Sequence, residues 1–142
     1  MVPKHAVELL GLVNGFQISR AISVVAELGI ADLLRAGPRE ISDLAGATGM
    51  HQRSLYRLLR ALAAVGVFHE DSEGRFSLTA MGHYLRGDVI GTRAPWARLV
   101  GRDYLWHAWG AMQQGIRTGA TAFDQAHGCS VLIAKREGSA DT

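Results

Sequence analysis

Between His5 and Leu28 the apolar residues occupy every side of a helix. Val7, Leu9, Leu10, Leu12, Val13, Phe16, Ile18, Ile22, Val24, Val25 and Leu28 fall at helical intervals without keeping to one stripe. A helix that is apolar nearly all round must be buried nearly all round. A chain of 142 residues can cover one face of such a helix, and covering the rest calls for a second chain. The pattern predicts one long helix from His5 to Leu28, ended by Gly29 in the left-handed conformation, and self-association through it.

The rest of the chain reads as short elements. Ile30 to Arg35 suggests a short helix, broken by Gly37-Pro38. Ile41 to Thr48 is a second, turning at Gly49. His51 to Val65 is the clearest helix: Leu55, Leu58, Leu59 and Leu62 make its buried stripe, and Arg53, Arg57 and Arg60 lie on the opposite face. His51 is a weaker N-cap than Asp would be. Val67 to Glu70 and Arg75 to Leu78 read as strands joined by Asp71-Ser72-Glu73-Gly74, a loop of hairpin length. Thr79 is suited to capping a short helix through Leu85. Helix, turn, helix and hairpin is the order of a winged helix-turn-helix. Pro95 opens a further helix. Tyr104 to Thr118 then forms one helix with the stripe Leu105, Trp109, Met112 and Ile116, stopped by Gly119, with Trp109 in the core and Phe123 in the loop that follows.

Composition narrows the function classes. The net charge of +2 and the pI near 9.0 are mildly basic, short of a dedicated nucleic-acid binder. Cys129 is the lone cysteine, so no intrachain disulfide forms and a reducing, cytoplasmic setting is expected. Glu8 interrupts the first apolar run, so Met1 to Gly15 is not read as a signal peptide. No run of about 18 apolar residues is present, so no membrane span is expected. Among the seventeen glycines no two stand two apart. The chain therefore has no G-x-G turn of the kind that cradles a dinucleotide or related cofactor.

The order of pieces resembles a known family. The residues that carry the likeness are Asn14-Gly15-Phe16, the run from Ala26 to Leu34, and the run from Ser54 to Leu62. Phe76-Ser77-Leu78-Thr79 before Gly82 follows, and then Trp109, Gly119, Phe123 and His127-Gly128. Together they are similar to the N-terminal dimerisation domain of S-adenosylmethionine-dependent O-methyltransferases acting on plant phenolics and bacterial polyketides. The resemblance implies a mainly α fold, a winged helix with a small β-hairpin, and extra N- and C-terminal helices forming an intertwined homodimer. It implies that residues of this domain wall part of the acceptor pocket. It places S-adenosylmethionine and the catalytic base, a histidine, on a C-terminal α/β domain, so residues 1–128 carry no cofactor or catalytic residue of their own. Residues 129–142 match neither part of the family. They read as an atypical, fraying tail, and the chain as one stopping before the cofactor domain, inactive alone.

Three groups of side chains are candidates for function. Through the resemblance, Trp106 and Phe123, with Tyr104 next, are expected to face an aromatic or polyketide-like acceptor, for which indole and phenyl rings make a flat apolar wall. Arg53, Arg57 and Arg60 would lie on the recognition helix of a winged helix, where arginines meet phosphates and base edges. Against this nucleic-acid reading, Glu70, Asp71 and Glu73 put acids on the wing and only Arg75 offsets them. The six histidines show no metal-ligand spacing, no Cys-x-x-Cys exists, and Cys129 in its small apolar run lacks the setting of a reactive thiol. Two alternatives stand beside the methyltransferase module. One is a small winged-helix DNA-binding regulator, and the other is a stand-alone binder of an aromatic small molecule.

Overall fold

The computed structural model describes residues 1–128. The expected tail of residues 129–142 lies outside the described residues. The chain forms two units, one of residues 1–99 and one beginning at Val100.

The first unit opens with α1 (Lys4–Val13) and α2 (Gly15–Glu27), where the sequence predicts a single helix. The two are bent by 41° at Asn14. Asn14 sits at φ −88° and ψ 2°, off the helical basin, with Gly15 beside it. The apolar pattern runs on through the break because both halves are helical. Gly29 then takes φ 67°, as expected, and starts α3 (Ile30–Leu33). Among the described residues no single helix is long and apolar enough to cross a membrane.

Next come β1 (Arg39–Glu40), α4 (Ile41–Thr48), α5 (Gln52–Ala64), β2 (Phe68–Glu70) and β3 (Arg75–Leu78). Leu, Ala, Arg and Gln, all good helix formers, fill most of α5. His51 caps it after all, its Nδ1 accepting the Ser54 N–H at 3.3 Å. The hairpin β2–β3 is antiparallel, with Phe68 opposite Leu78 and Glu70 opposite Phe76. The expected hairpin gains a third strand: β1 pairs with the other edge of β3, giving the order β1-β3-β2. The sheet is closed by α4 and α5, the helix-turn-helix and wing order that the sequence predicts.

Alternation along β3 sends Phe76 inward, where it is fully buried. It meets Leu55, Leu59 and Leu62 of α5 together with Phe68, Ile30, Leu34, Leu44 and Val25 in one core. Thr79 anchors the exit of β3. Its hydroxyl lies 2.6 Å from the Gly66 carbonyl and 2.9 Å from that of Val67, and it accepts the Gly82 N–H at 3.0 Å. The element it caps is a 3₁₀ turn, Gly82–Leu85, followed by α6 (Ala94–Val100).

The second unit holds α7 (Asp103–Gly110), α8 (Met112–Thr118) and α9 (Ala122–His127). The single helix expected from Tyr104 to Thr118 is interrupted at Ala111, at φ −90° and ψ 5°. Phe123, expected in a loop, lies in α9, which Thr121 caps by accepting the Asp124 N–H. Gly115 lets α8 and α9 approach closely, since a Cβ there would stand 3.1 Å from the Ala120 carbonyl oxygen.

Candidate functional site

The first candidate surface is apolar. No residue of α1 is buried, and Leu9, Leu10, Leu12, Val13 and Phe16 are between 54% and 81% exposed. Only the second half of α2 enters the core, through Ser23, Val25 and Ala26. The sequence pattern asks for burial on all sides of this segment, and the described residues supply it only at the far end.

A cleft of about 530 Å³ opens in the same unit. Ile22 of α2, Val67, Met81, Tyr84 and Leu85 line it, with Arg93 as its one charged side chain. Its rim is the loop before α6, folded back so that the Arg93 N–H donates to the Tyr84 carbonyl at 2.7 Å. Gly91 makes that return at φ 80°. Sequence reasoning missed the cleft, because its walls come from four separate stretches of chain.

The arginine face forms as expected, with Arg53, Arg57 and Arg60 all exposed on α5. Arg60 donates to the Tyr56 hydroxyl at 3.3 Å, and Tyr56 donates to Glu70 at 2.9 Å, so Arg60 is tied to the wing. Within the wing, Asp71 and Glu73 hold Arg75 at 2.9 and 3.1 Å. The Arg75 backbone N–H, followed by its guanidinium, holds the Asp71 carboxyl below the usual carboxylate range. The hydrogen bond and charge of Asp71 in turn raise the Arg75 guanidinium. The ionised carboxylate thus favours the closed hairpin at neutral pH, and this support is lost as pH falls through the lowered value. Arg75 is engaged with acids, and the wing carries net negative charge where a DNA-binding wing would meet phosphates.

The aromatic candidates lie in the second unit. Tyr104 of α7 meets Phe123 of α9 edge to face, with centroids 6.1 Å apart. Phe123 is buried, and Tyr104 and Trp106 are half-buried. Two residues apart on α7, Tyr104 and Trp106 point about 200° from each other around the axis. The structure therefore joins Tyr104 to Phe123 and turns Trp106 another way. Trp109, expected in the core, is 67% exposed. Its stripe continues through Met112 and Ile116, also exposed, because the break at Ala111 leaves that face of α7 and α8 without cover among the described residues of the unit.

Sequence reasoning also missed the imidazoles of this cluster. His127 stacks on Phe123 at 4.7 Å and lies 6.0 Å from His107. Its Nε2 donates to the Tyr104 carbonyl, which ties α9 to the start of α7. The two histidines are twenty positions apart in sequence, a separation without ligand spacing. Among the described residues no group of three or more His, Cys, Asp or Glu side chains could hold a metal ion.

Comparison with known proteins agrees with this geometry. Residues 10–87 match the model of the O-methyltransferase dimerisation domain. The O-methyltransferase SfmM3 of Streptomyces lavendulae is 43% identical over 114 residues, which are 80% of this chain and 34% of that enzyme. Among solved structures, LaPhzM superposes with a TM-score of 0.88 at 33% identity, over 96% of this chain and 40% of that one. The O-methyltransferase NcsB1 of neocarzinostatin biosynthesis, in complex with S-adenosylmethionine and 2-hydroxy-5-methyl naphthoic acid, gives 0.69 at 34% identity, over 85% and 37%. The chain spans about a third of the length of the curated relatives it matches. By the matched model and the fold it belongs to the O-methyltransferase dimerisation domain family.

Proposed function

We propose that this domain pairs two copies of the chain and supplies part of the wall that holds an aromatic methyl acceptor. Methyl transfer itself would rest on S-adenosylmethionine and a catalytic base held by a separate domain. The observation that carries the pairing is the uncovered apolar surface of α1 and early α2. Left in water it is a liability, and against a second copy it is a driving force of about 25 cal/mol per Å². A surface used this way forms a homodimer with twofold symmetry.

Light scattering on the purified chain tests the pairing. The mass expected is twice that of one chain. Leu9→Asp combined with Leu12→Asp places two charges in the contact and gives a monomer that keeps its helical circular dichroism. Both positions are exposed in the single chain, so the fold tolerates the change. Both copies carry the changes, so four charges enter the contact, and at roughly 3 kcal/mol each the dissociation constant rises by about 10⁸-fold, beyond any workable concentration. A wild-type chain that is monomeric at tens of micromolar removes the proposal.

The acceptor wall is assigned to Trp106, half-buried on α7, while Tyr104 packs with Phe123 on another side of that helix. The naphthoic acid held in the NcsB1 complex is a flat, mostly apolar ring system of the sort such side chains suit. One wall of a pocket binds weakly, so saturable quenching of tryptophan fluorescence by that acid is expected near ~1 mM. Trp106→Phe should abolish the saturable part of the quenching and leave the linear collisional part from the exposed Trp96 and Trp109. Quenching that is linear in ligand, with no saturation, counts against the wall. The nucleic-acid reading gains no support from the wing, whose arginine is held by its own acids.

A further inference from the structure

We infer that the cleft bounded by Ile22, Val67, Met81, Tyr84, Leu85 and Arg93 binds an apolar monocarboxylate, with its aliphatic chain on the hydrocarbon walls and its carboxylate on the Arg93 guanidinium and the Tyr84 hydroxyl. Neither the pairing nor the acceptor wall proposed above is needed for it. Three observations carry it. First, the charge of Arg93 is uncompensated. Arg35, Arg75 and Arg86 each hold an acid, at 3.9, 2.9 and 2.7 Å. The Arg93 side chain has no hydrogen bond or ion pair among the described residues, and no acid lines the cleft. Second, a phenol with a free hydroxyl shares the same rim. The Tyr84 hydroxyl has no partner among the described residues, and its ring is oriented edge to face against His83 at 5.5 Å. A guanidinium fork and a phenol can together donate to both oxygens of one carboxylate. Third, the rim is fixed before any ligand arrives. The Tyr84 carbonyl accepts both the Arg93 N–H at 2.7 Å and the Thr92 hydroxyl at 3.3 Å, and that hydroxyl accepts the Ala94 N–H at 3.2 Å. Below these polar groups the walls are hydrocarbon: Val67 and Leu85 are buried and Ile22 is half-buried. Met81, 60% exposed, is unbranched and can fold over a bound chain. A space of about 530 Å³ is of small-molecule size. One cation over an apolar floor matches one negative charge on an apolar body, and the second charge of a phosphate ester would go unpaired there.

Isothermal titration calorimetry of the full chain with octanoate, decanoate and the uncharged 1-octanol tests the site, with circular dichroism confirming that the fold persists. One decanoate is expected per chain, with a dissociation constant of about 10–100 μM. Octanoate is expected to bind about 10-fold more weakly, since each buried CH₂ is worth about a factor of four. Arg93→Met should weaken octanoate by about 10-fold or more and leave 1-octanol unchanged. Arg57→Met, the same charge change on the exposed face of α5, should alter neither. Met81→Asp, at the mouth of the cleft, should weaken both octanoate and 1-octanol, which locates the chain. Arg93 and Met81 are exposed, so these substitutions leave the core intact. Should Arg93→Met lose its helical signal, Tyr84→Phe carries the same comparison with an expected loss of about 3-fold for octanoate alone. No saturable heat with decanoate up to 1 mM, on the order of ten times the weakest affinity expected, overturns the site. Equal weakening of octanoate by Arg57→Met and Arg93→Met shows diffuse attraction to a basic chain and overturns it as well. So does binding that Met81→Asp leaves untouched, since the ligand then lies elsewhere.

Discussion

Phe76→Ala lowers the unfolding free energy by about 4 kcal/mol, in the range found for removing a buried ring. Phe76 is 0% exposed and stands on the central strand of a three-stranded sheet. Its ring faces the buried leucines of α5 and meets Tyr56 edge to face with centroids 5.8 Å apart. Neither neighbouring strand can close the gap, because β1 and β2 are both in register with β3 at this residue. The loss therefore includes both the transfer of the ring and the cavity left behind. Urea unfolding at fixed protein concentration measures it, and a midpoint drop of about 13 °C is the thermal counterpart. A loss under about 1 kcal/mol would mean that the core collapses around the site and that Phe76 is not its keystone.

Gly82→Ala costs about 3 kcal/mol or more, against the sign that helix propensity suggests. Propensity alone favours alanine over glycine by ~1 kcal/mol. Space decides the other way: a Cβ at Gly82 would lie 2.1 Å from the Val67 carbonyl oxygen and 3.2 Å from its carbon. That carbonyl cannot step aside, because the Thr79 hydroxyl lies 2.9 Å from it and the Gly82 N–H is bonded to the same hydroxyl. Overpacking against fixed backbone belongs at the upper end of such penalties. Gly46→Ala in α4 is the internal comparison. No atom lies within 4 Å of its added Cβ, so it should stabilise the chain by ~0.5–1 kcal/mol. The two substitutions, identical in chemistry, should move the urea midpoint in opposite directions, and equal shifts would defeat the steric account.

Much of this fold is legible in the residues. The leucines of α5 repeat at helical spacing, and the loop from Asp71 to Gly74 has the length of a hairpin, so both elements fall where the pattern puts them. What the pattern hides has physical causes. The break at Asn14 leaves apolar residues on both sides and gives no signal in a period that runs straight through it. β1 is two residues long, too short for any alternation to show. Phe123 sits in a six-residue helix that needs its Thr121 cap to be seen. Trp109 has core-like spacing, yet the break at Ala111 sends it to the surface. The candidate sites divide along the same line. The arginine face could be read from spacing, but the link from Arg60 through Tyr56 to Glu70 spans helix and wing. The contacts among Tyr104, Phe123 and His127 depend on how α7 and α9 meet.

The nakedness of α1 also has a consequence in time. It precedes the sheet and the helices that pack on it, so it leaves the ribosome before they do. At 5–20 residues per second the rest of the chain takes on the order of 10 s to follow. Once folded, the described residues still bury none of it. Throughout synthesis, and afterwards until another molecule arrives, this segment is an adhesive strip. With the pairing proposed above, the segment is shielded once two copies meet. Its yield in the cell is then set by how quickly copies find each other as well as by how stably each one folds.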